Sequence, residues 1–388
     1  MDLNDSPSEA AFRAEVRTFL ERHGPTEDVN SFSSPDEDVV VPRADAWQRT
    51  LFEHGWAALT WPREFGGRGA GPVEQIIWNQ ELTRYGVGMT HHVVGVAMVG
   101  PALLYHGTAE QRERWVARIL SGDDIWCELF SEPEFGSDLA GVQTRAVRDG
   151  EEWIVTGQKV WSSGAHRSDL GLALARTDPQ AAKHAGVTAF VIDMHAPGVE
   201  TRPLRQMTGN AHFNEVFLTE VRVAADCVVG EVDRGWNVAR TVLLHERMAL
   251  GGVESAFDWD EMARLAAERS DRVDERVRQD LARLYCSARA LEFLNARVIT
   301  KLGRGEAPTA ESSIMKIALA RVVIEQGRIA MGLLGADGLL AGPGETDGKV
   351  DWQSRFVSSP AMRIGGGTDE IQRNIIGERV LGLPRDPA

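Results

Sequence analysis

Glu152-Trp153-Ile154-Val155-Thr156-Gly157-Gln158 is a short run rich in aromatic and β-branched residues. Asp149-Gly150 before it and Thr156-Gly157 within it are hairpin or turn signals. Four more short runs read the same way: Ile125 to Leu129, Leu170 to Ala175, Val187 to Asp193 and Glu215 to Val223. No long helical pattern separates them, so they predict a mostly antiparallel sheet or barrel, not a doubly wound sheet.

The flanks carry a different period. From Pro7 to about Ser121, Ala11, Phe12, Val16, Phe19 and Leu20 form one helical stripe, and Trp47, Leu51, Phe52 and Trp56 begin another. Trp61 through Gly67 is a turn-rich loop. Further helices are expected at 73–86, 90–105 and 109–119, with a kink at Gly100-Pro101. Helix returns from Trp236 to about Ala266, then at 274–303 and 310–334. A loop with Ala341-Gly342-Pro343-Gly344 follows, then a short helix after Gly367. The expected architecture is α+β and multidomain. It has an N-terminal helical domain over 1–121, a central antiparallel β domain over 122–229 and a C-terminal helical bundle over 230–388.

The 388 residues, 43% of them apolar, exceed one ordinary core. With 42 Lys plus Arg against 57 Asp plus Glu, the net charge of −15 repels a nucleic-acid backbone, and no basic stripe reverses that. Cys127, Cys227 and Cys286 are scattered and odd in number. This argues against a disulfide frame or a structural metal site and for reduced thiols in a cytoplasmic protein. The acidic, polar start lacks a secretory pattern, and no apolar run of about 18 residues predicts a membrane span.

On the helix expected after Gly235, Glu246 sits at the centre of an apolar stripe. At about 100° per residue, Ala239, Val242, Leu243, Ala249, Leu250 and Val253 fall within about 60° of it. A carboxylate there is costly to desolvate without a partner or a task, and burial raises its pKa toward what a general base needs. An ion pair with Arg247 or Arg240 is the alternative. In Ser131-Glu132-Pro133-Glu134-Phe135-Gly136-Ser137-Asp138, small residues let main-chain amides approach an oxygen-rich ligand, although a plain turn has the same composition. Within Gly157 through Ala165, Trp161 offers a face to a flat ring and Ser163 a hydrogen bond; core packing of Trp161 competes with that reading. Gly365-Gly366-Gly367 precede Thr368, a candidate N-cap. A helix start there suits an anion or a carbonyl oxygen, or is simply a capped helix. No dinucleotide fingerprint, phosphate-binding loop or nucleophile elbow is present.

Taken in order, these segments resemble the acyl-CoA dehydrogenase family almost end to end. The resemblance rests on Trp61-Pro62 through Gly67, Ser131 through Asp138, Gly157 through Gly164 and Pro197-Gly198-Val199. It continues through Asn214-Glu215-Val216-Phe217, Val229-Gly230 with Gly235-Trp236, and Gly366 through Leu383. It implies helical, β and helical domains in that order, with FAD held between the β domain and the C-terminal helices. It also implies that Ser131, Gly136 and Ser137 line the flavin and pyrophosphate, Trp161 packs on the flavin and Ser163 bonds its reactive edge. Ser137 would also meet the pantetheine of an acyl-CoA substrate, and Thr368 and Glu370 would touch FAD. A base takes the α-proton and hydride leaves the β-carbon for the flavin. The resemblance further implies that the amide of Gly366, beside Gly367, would polarise the thioester carbonyl. Electrons then pass to an electron-transfer flavoprotein or a similar acceptor.

Two departures from the family's pattern matter. Many members place the base directly before a Gly-Thr pair, where this chain has Gly366. Others, similar to isovaleryl- and long-chain acyl-CoA dehydrogenases, carry Glu followed by Arg on the earlier helix. Glu246-Arg247 matches the second arrangement, which implies Glu246 as base and Arg247 as its neighbour toward CoA. The Arg-xx-Phe-Gly and Gln-xx-Gly-Gly segments that grip FAD across homotetramer interfaces are replaced by Asp274 through Asp280 and Gly332 through Ala336. The implied assembly is a homo- or hetero-oligomer, dimer or tetramer, with fewer cross-subunit contacts to FAD or with a different chain supplying them. A non-catalytic or FAD-sharing subunit of a hetero-oligomer, and a flavin oxidase or monooxygenase on the same fold, are the alternatives.

Overall fold

Capping chemistry and apolar spacing set the helices that surround a central sheet. The computed structural model describes residues 5–32, 34, 36–250, 259–306, 311–340 and 351–384, and the side chains of Arg247, Met248 and Leu250 lie outside the described set. Before the sheet come α1 (Pro7–His23), α2 (Glu37–Glu53), α3 (Pro72–Tyr85), α4 (Gly100–His106) and α5 (Ala109–Ser121). Thr108 caps α5 by accepting from Gln111 N–H at 3.2 Å, while Gln111 Oε1 accepts from Thr108 N–H at 3.1 Å. The expected helix over 90–105 is a π-helical turn, Val94–Val99, running into α4. A Cβ on Gly100 would sit 2.1 Å from Trp61 Cζ2, so that close approach demands glycine. Trp56 lies beyond α2, not on its stripe, and stacks on Phe19 and Trp78, each at 5.0 Å.

The strands are β1 (Trp126–Leu129), β2 (Arg145–Asp149), β3 (Glu152–Ser163), β4 (Leu170–Arg176), β5 (Val187–Asp193), β6 (Val199–Leu204), β7 (Phe213–Ala224) and β8 (Val228–Val229). They form one sheet in the order β6-β7-β3-β2-β4-β5-β8, with β1 on β4. The pairings are antiparallel except β1 with β4 and the Arg145–Arg176 contact of β2 with β4, which are parallel. Strand β3 continues five residues beyond the expected end at Gln158. Strands β2 and β6 were not expected, because their mostly solvent-facing, charged residues show no buried-strand pattern.

One face of the sheet packs Trp126, Phe130, Leu172 and Leu174 against Val94, Met98 and Val99 of the π turn. The other face encloses Cys127, Leu129, Phe190, Ile192, Val216 and Leu218. Burial drives Cys127 up to about 12, so it is an inert core thiol; Cys127, Cys227 and Cys286 are all free.

After the sheet come α6 (Gly235–Leu250), α7 (Trp259–Glu268), α8 (Glu275–Gly303), α9 (Glu311–Leu334), α10 (Trp352–Ser358) and α11 (Asp369–Ile375). The single helix expected from Trp236 to Ala266 is described as two, α6 and α7. The residues between them, Val253 included, and the Ala341–Gly344 loop lie outside the described set. Contacts divide the chain into two compact units: Ala11–Leu250, and Met1–Ala10 together with Gly251–Ala388. The second has its own core around Met262, Leu284, Leu291, Leu319 and Leu333. Among the described residues, no helix is long and apolar enough to cross a membrane.

Candidate active site

Two of the sequence motifs meet at the end of β3. Val160 N–H donates to the Ser131 carbonyl at 2.9 Å. Beneath that bond the Lys159 ammonium, fully buried, donates to Glu132 Oε1 at 2.8 Å, Leu174 O at 2.7 Å and Phe130 O at 3.1 Å. Glu132 also accepts from the main-chain N–H groups of Gln143 at 2.6 Å and Thr144 at 2.9 Å. Burial brings Lys159 down to about 8 against the opposing pull of Glu132. Burial works the other way on Glu132, but Lys159 and the surrounding donors outweigh it and hold that carboxyl low. The pair locks the 131–138 loop to β3. Sequence reasoning missed it, because Glu132 sits in a polar loop and Lys159 follows Gly157-Gln158, so neither stands out as a buried charge.

Trp161 occupies a bulge where β3 slips register against β7 between Lys159 and Ser162. Its φ of +63° is the left-handed region, which costs a bulky residue roughly 1–2 kcal/mol. The indole is 59% exposed and meets Phe213 edge-on at 5.9 Å, so it is not a core residue. Buried Asn214 holds the bend: its Nδ2 donates to Ser162 O at 2.9 Å and His212 O at 3.0 Å. Asn214 Oδ1 lies 3.2 Å from His166 Nδ1, and His166 Nε2 is 2.7 Å from Glu37 Oε2 on α2. Ser163, partly buried, lines a narrow cleft with Ser31, Phe32, His91, Trp126 and Arg167. Gly136 and Ser137 are exposed and Ser131 is partly buried. An outward-facing indole, a neighbouring hydroxyl and an open loop fit a flat ring with an oxygen-rich tail, as FAD has.

Glu246 is partly buried on α6. Val238, Ala239 and Val242 are fully buried and Leu243 and Ala249 partly so, all in the apolar cluster that holds Trp126, Phe130 and Leu172. Asn237 and Arg240 are exposed, as is Leu244. The Arg247 side chain lies outside the described set. Glu128 of β1 is a further acid on this cluster's side, and sequence reasoning passed over it. Burial, then the charge of Glu246, push its carboxyl well above the ordinary 4.5.

In the second unit, Gly366 and Gly367 adopt φ of +66° and +89°, conformations that favour glycine. Thr368 Oγ1 accepts from Ile371 N–H at 3.2 Å and caps α11, while Gln372 Nε2 donates to Gly366 O at 3.2 Å. Glu370 is exposed and pairs with Arg373 at 3.2 Å. Its neighbour Asp369, not foreseen, is buried and binds Lys316 at 3.1 Å and Arg363 at 3.0 Å.

Sequence spacing showed no metal site, yet Asp45, His91 and His92 bring three ligand-type atoms within 4.8 Å of one another. Asp45 Oδ1 lies 2.8 Å from His92 Nε2 and 3.0 Å from His91 Nε2, and His91 Nδ1 lies 2.7 Å from Ser31 Oγ. Burial opposes the Asp45 charge, but the two histidines outweigh it and keep the carboxyl below the usual range. Burial holds His91 low. The three side chains gather around the Asp45 carboxylate, and His91 Nε2 is buried there without a well-aligned hydrogen bond.

Helical, β and helical segments in that order define a three-part α+β fold. Family models described as acyl-CoA dehydrogenase N-terminal, middle and C-terminal domains match residues 6–123, 127–221 and 233–381. The chain belongs to the acyl-CoA dehydrogenase family, a family of FAD-dependent oxidoreductases. It is 40% identical over 349 residues to acyl-CoA dehydrogenase FadE34 of Mycobacterium tuberculosis, covering 90% of this chain but 47% of that protein, so it spans about half that relative's length. It is 36% identical to acyl-CoA dehydrogenase IpdE1 of the same organism, covering 97% of this chain and 98% of that one. A structure described as the Tcur3481-Tcur3483 steroid ACAD superposes with a TM-score of 0.85 at 31% identity over 100% of both chains. The ChsE4-ChsE5 complex from Mycobacterium tuberculosis gives 0.81 at 28%, again over 100% of both.

Proposed function

We propose that the chain catalyses FAD-dependent α,β-dehydrogenation of an acyl-CoA thioester to a 2,3-enoyl-CoA, with Glu246 as the base. The observation that carries this is the place of Glu246 on α6. It is partly buried one turn beyond the fully buried Val242 and shares a helical face with Val242, Leu243 and Ala249, apolar surroundings that suit a general base. Glu246 takes the α-proton onto its carboxylate. Bound FAD supplies the hydride acceptor for the β-carbon. Trp161 and Ser163 orient the ring, Ser131, Gly136 and Ser137 hold its ribityl-pyrophosphate side, and Thr368 and Glu370 contact it from the C-terminal segment. Gly366 and Gly367 serve the thioester carbonyl and Arg247 the CoA. Electrons leave to an electron-transfer flavoprotein or similar acceptor.

The steroid ACAD likeness favours a bulky, ring-bearing acyl group. The two-name assemblies among similar structures, with the replaced segments at Asp274–Asp280 and Gly332–Ala336, favour an unlike partner subunit that completes the grip on FAD. The test is anaerobic bleaching of bound flavin by a panel of linear, branched and steroid-side-chain acyl-CoAs, with partner chains and flavin content measured on the purified protein. Bleaching by a bulky thioester is expected. A colourless, folded, acyl-CoA-inert chain overturns the reading in favour of a non-catalytic subunit, and rapid peroxide formation in air without an acceptor overturns it in favour of an oxidase.

A further inference from the structure

We propose that Glu128 is a positioning residue of the reaction site, its carboxyl paired with that of Glu246 across the apolar layer between β1 and α6 so that the two hold one proton. This rests on the reading of Glu246 as the base.

Strand alternation sets one half of the geometry. Cys127 and Leu129 belong to the cluster with Phe190 and Ile192, whereas Trp126 and Phe130 belong to the opposite one. Glu128 therefore emerges between those two rings, beside Leu172, its partner in the ladder. Helix spacing sets the other half. Val242 and Leu243, four and three residues before Glu246, and Ala249, three after it, all join the cluster of Trp126, Phe130 and Leu172. Two carboxyls thus enter one apolar layer from its two walls. The electrostatics agree: burial first, and the charge of Glu246 second, disfavour ionisation of Glu128.

One carboxylate in such a layer is already costly, and a second beside it is costlier. Glu128 stays neutral while Glu246 is ionised and ready to accept a proton, and the two titrate as a unit. Its O–H is also a donor suited to fixing a neighbouring carboxylate. Once Glu246 gains a proton, the repulsion on Glu128 ends.

Other ionisable groups on the elements packed around the pair have partners of their own. Lys159 of β3 holds Glu132, and His106 of α4 lies 2.8 Å from Thr241 Oγ1 on α6. His91 and His92, just before the π turn, hold Asp45. Arg176 of β4 donates to the carbonyls of Ala140 and Ala185, and His166 and Arg167 hold Glu37. Asp193 of β5 and Arg240 of α6 are exposed, and burial holds His245 low. Lys159, brought down to about 8 by burial, is a further buried titratable group on these elements.

The test is an infrared pH titration of the protonated-carboxyl C=O stretch in the purified holoprotein and in Glu128→Gln and Glu246→Gln. The wild type is expected to keep a protonated carboxyl well above the ordinary carboxyl range, and Glu128→Gln to lose that band. In Glu246→Gln the band persists but disappears at least about one pH unit lower, as expected once the neighbouring charge is gone. An unmoved band in Glu246→Gln, or its survival in Glu128→Gln, overturns the pairing. If Glu128→Gln fails to fold, the shift in Glu246→Gln decides alone. Flavin reduction in Glu246→Gln tests the base separately: a shifted band with undiminished reduction removes the base and keeps the pair.

Discussion

Asn214 Nδ2 donates to the main-chain carbonyl of Ser162 at 2.9 Å, and that bond ties β7 to the bend from which the Trp161 indole projects. The bend is strained at Trp161, so it persists only because its neighbours over-determine it. Asn214→Ala removes a buried donor and is expected to cost about 1–3 kcal/mol in stability and to lower flavin occupancy. Thermal unfolding and the flavin-to-protein ratio check this. Unchanged flavin content contradicts the positioning role.

Trp161 gives the complementary case. Glycine accepts a φ of +63° freely, and the exposed indole contributes little packing. Trp161→Gly is expected to leave the apoprotein as stable as the wild type or about 1 kcal/mol more so, while weakening FAD binding. Urea unfolding of the apo form and flavin titration read the two effects separately. A destabilised apoprotein contradicts an outward, ligand-facing role.

Lys159 and Glu132 form the buried ion pair under the 131–138 loop. Lys159→Met strands a buried carboxylate and is expected to cost about 3–5 kcal/mol. Replacing both residues by Met and Gln is expected to cost less than the single change, because no charge is left unpaired. A double-mutant cycle in chemical unfolding checks this. Additive losses contradict it.

Acid should loosen the first unit. Burial holds His91, His106, His212 and His245 below their ordinary 6.5. Below that value the unfolded chain binds more protons than the folded one, so stability falls as pH drops. Asp45, whose carboxyl is depressed, adds stability above its ordinary 3.8 that is lost on further acidification. The melting temperature should therefore decline between about pH 7 and pH 5, and decline less in His91→Gln, which removes one of these groups. A flat profile over that range contradicts the assignment.

The helix–sheet–helix order was legible because its signals are local: period-3.6 stripes at Val16, Phe19 and Leu20, and short β-rich runs such as Val187 to Asp193. Strands β2 and β6 were not, since Arg145 to Asp149 and Val199 to Leu204 owe their pairing to neighbours, not to their own pattern. At the site, Glu246 stood out as a charge on an apolar stripe, whereas Trp161 was legible only as one of two readings, a ring platform or a core residue. The pairings that support the site escaped notice. Glu128 with Glu246, Lys159 with Glu132, and Asn214 with Ser162 take their significance from partners distant in sequence, a pairing that one chain does not show.

Glu246 carries the central claim. Anaerobic stopped-flow reduction of bound flavin by a bulky steroid-side-chain acyl-CoA, in wild type and Glu246→Gln of matched flavin content, tests it most directly. A positioned general base contributes about 10²–10⁴-fold, so bleaching in Glu246→Gln is expected to slow by at least about a hundredfold with thioester binding retained. Bleaching at the wild-type rate would remove Glu246 from the mechanism.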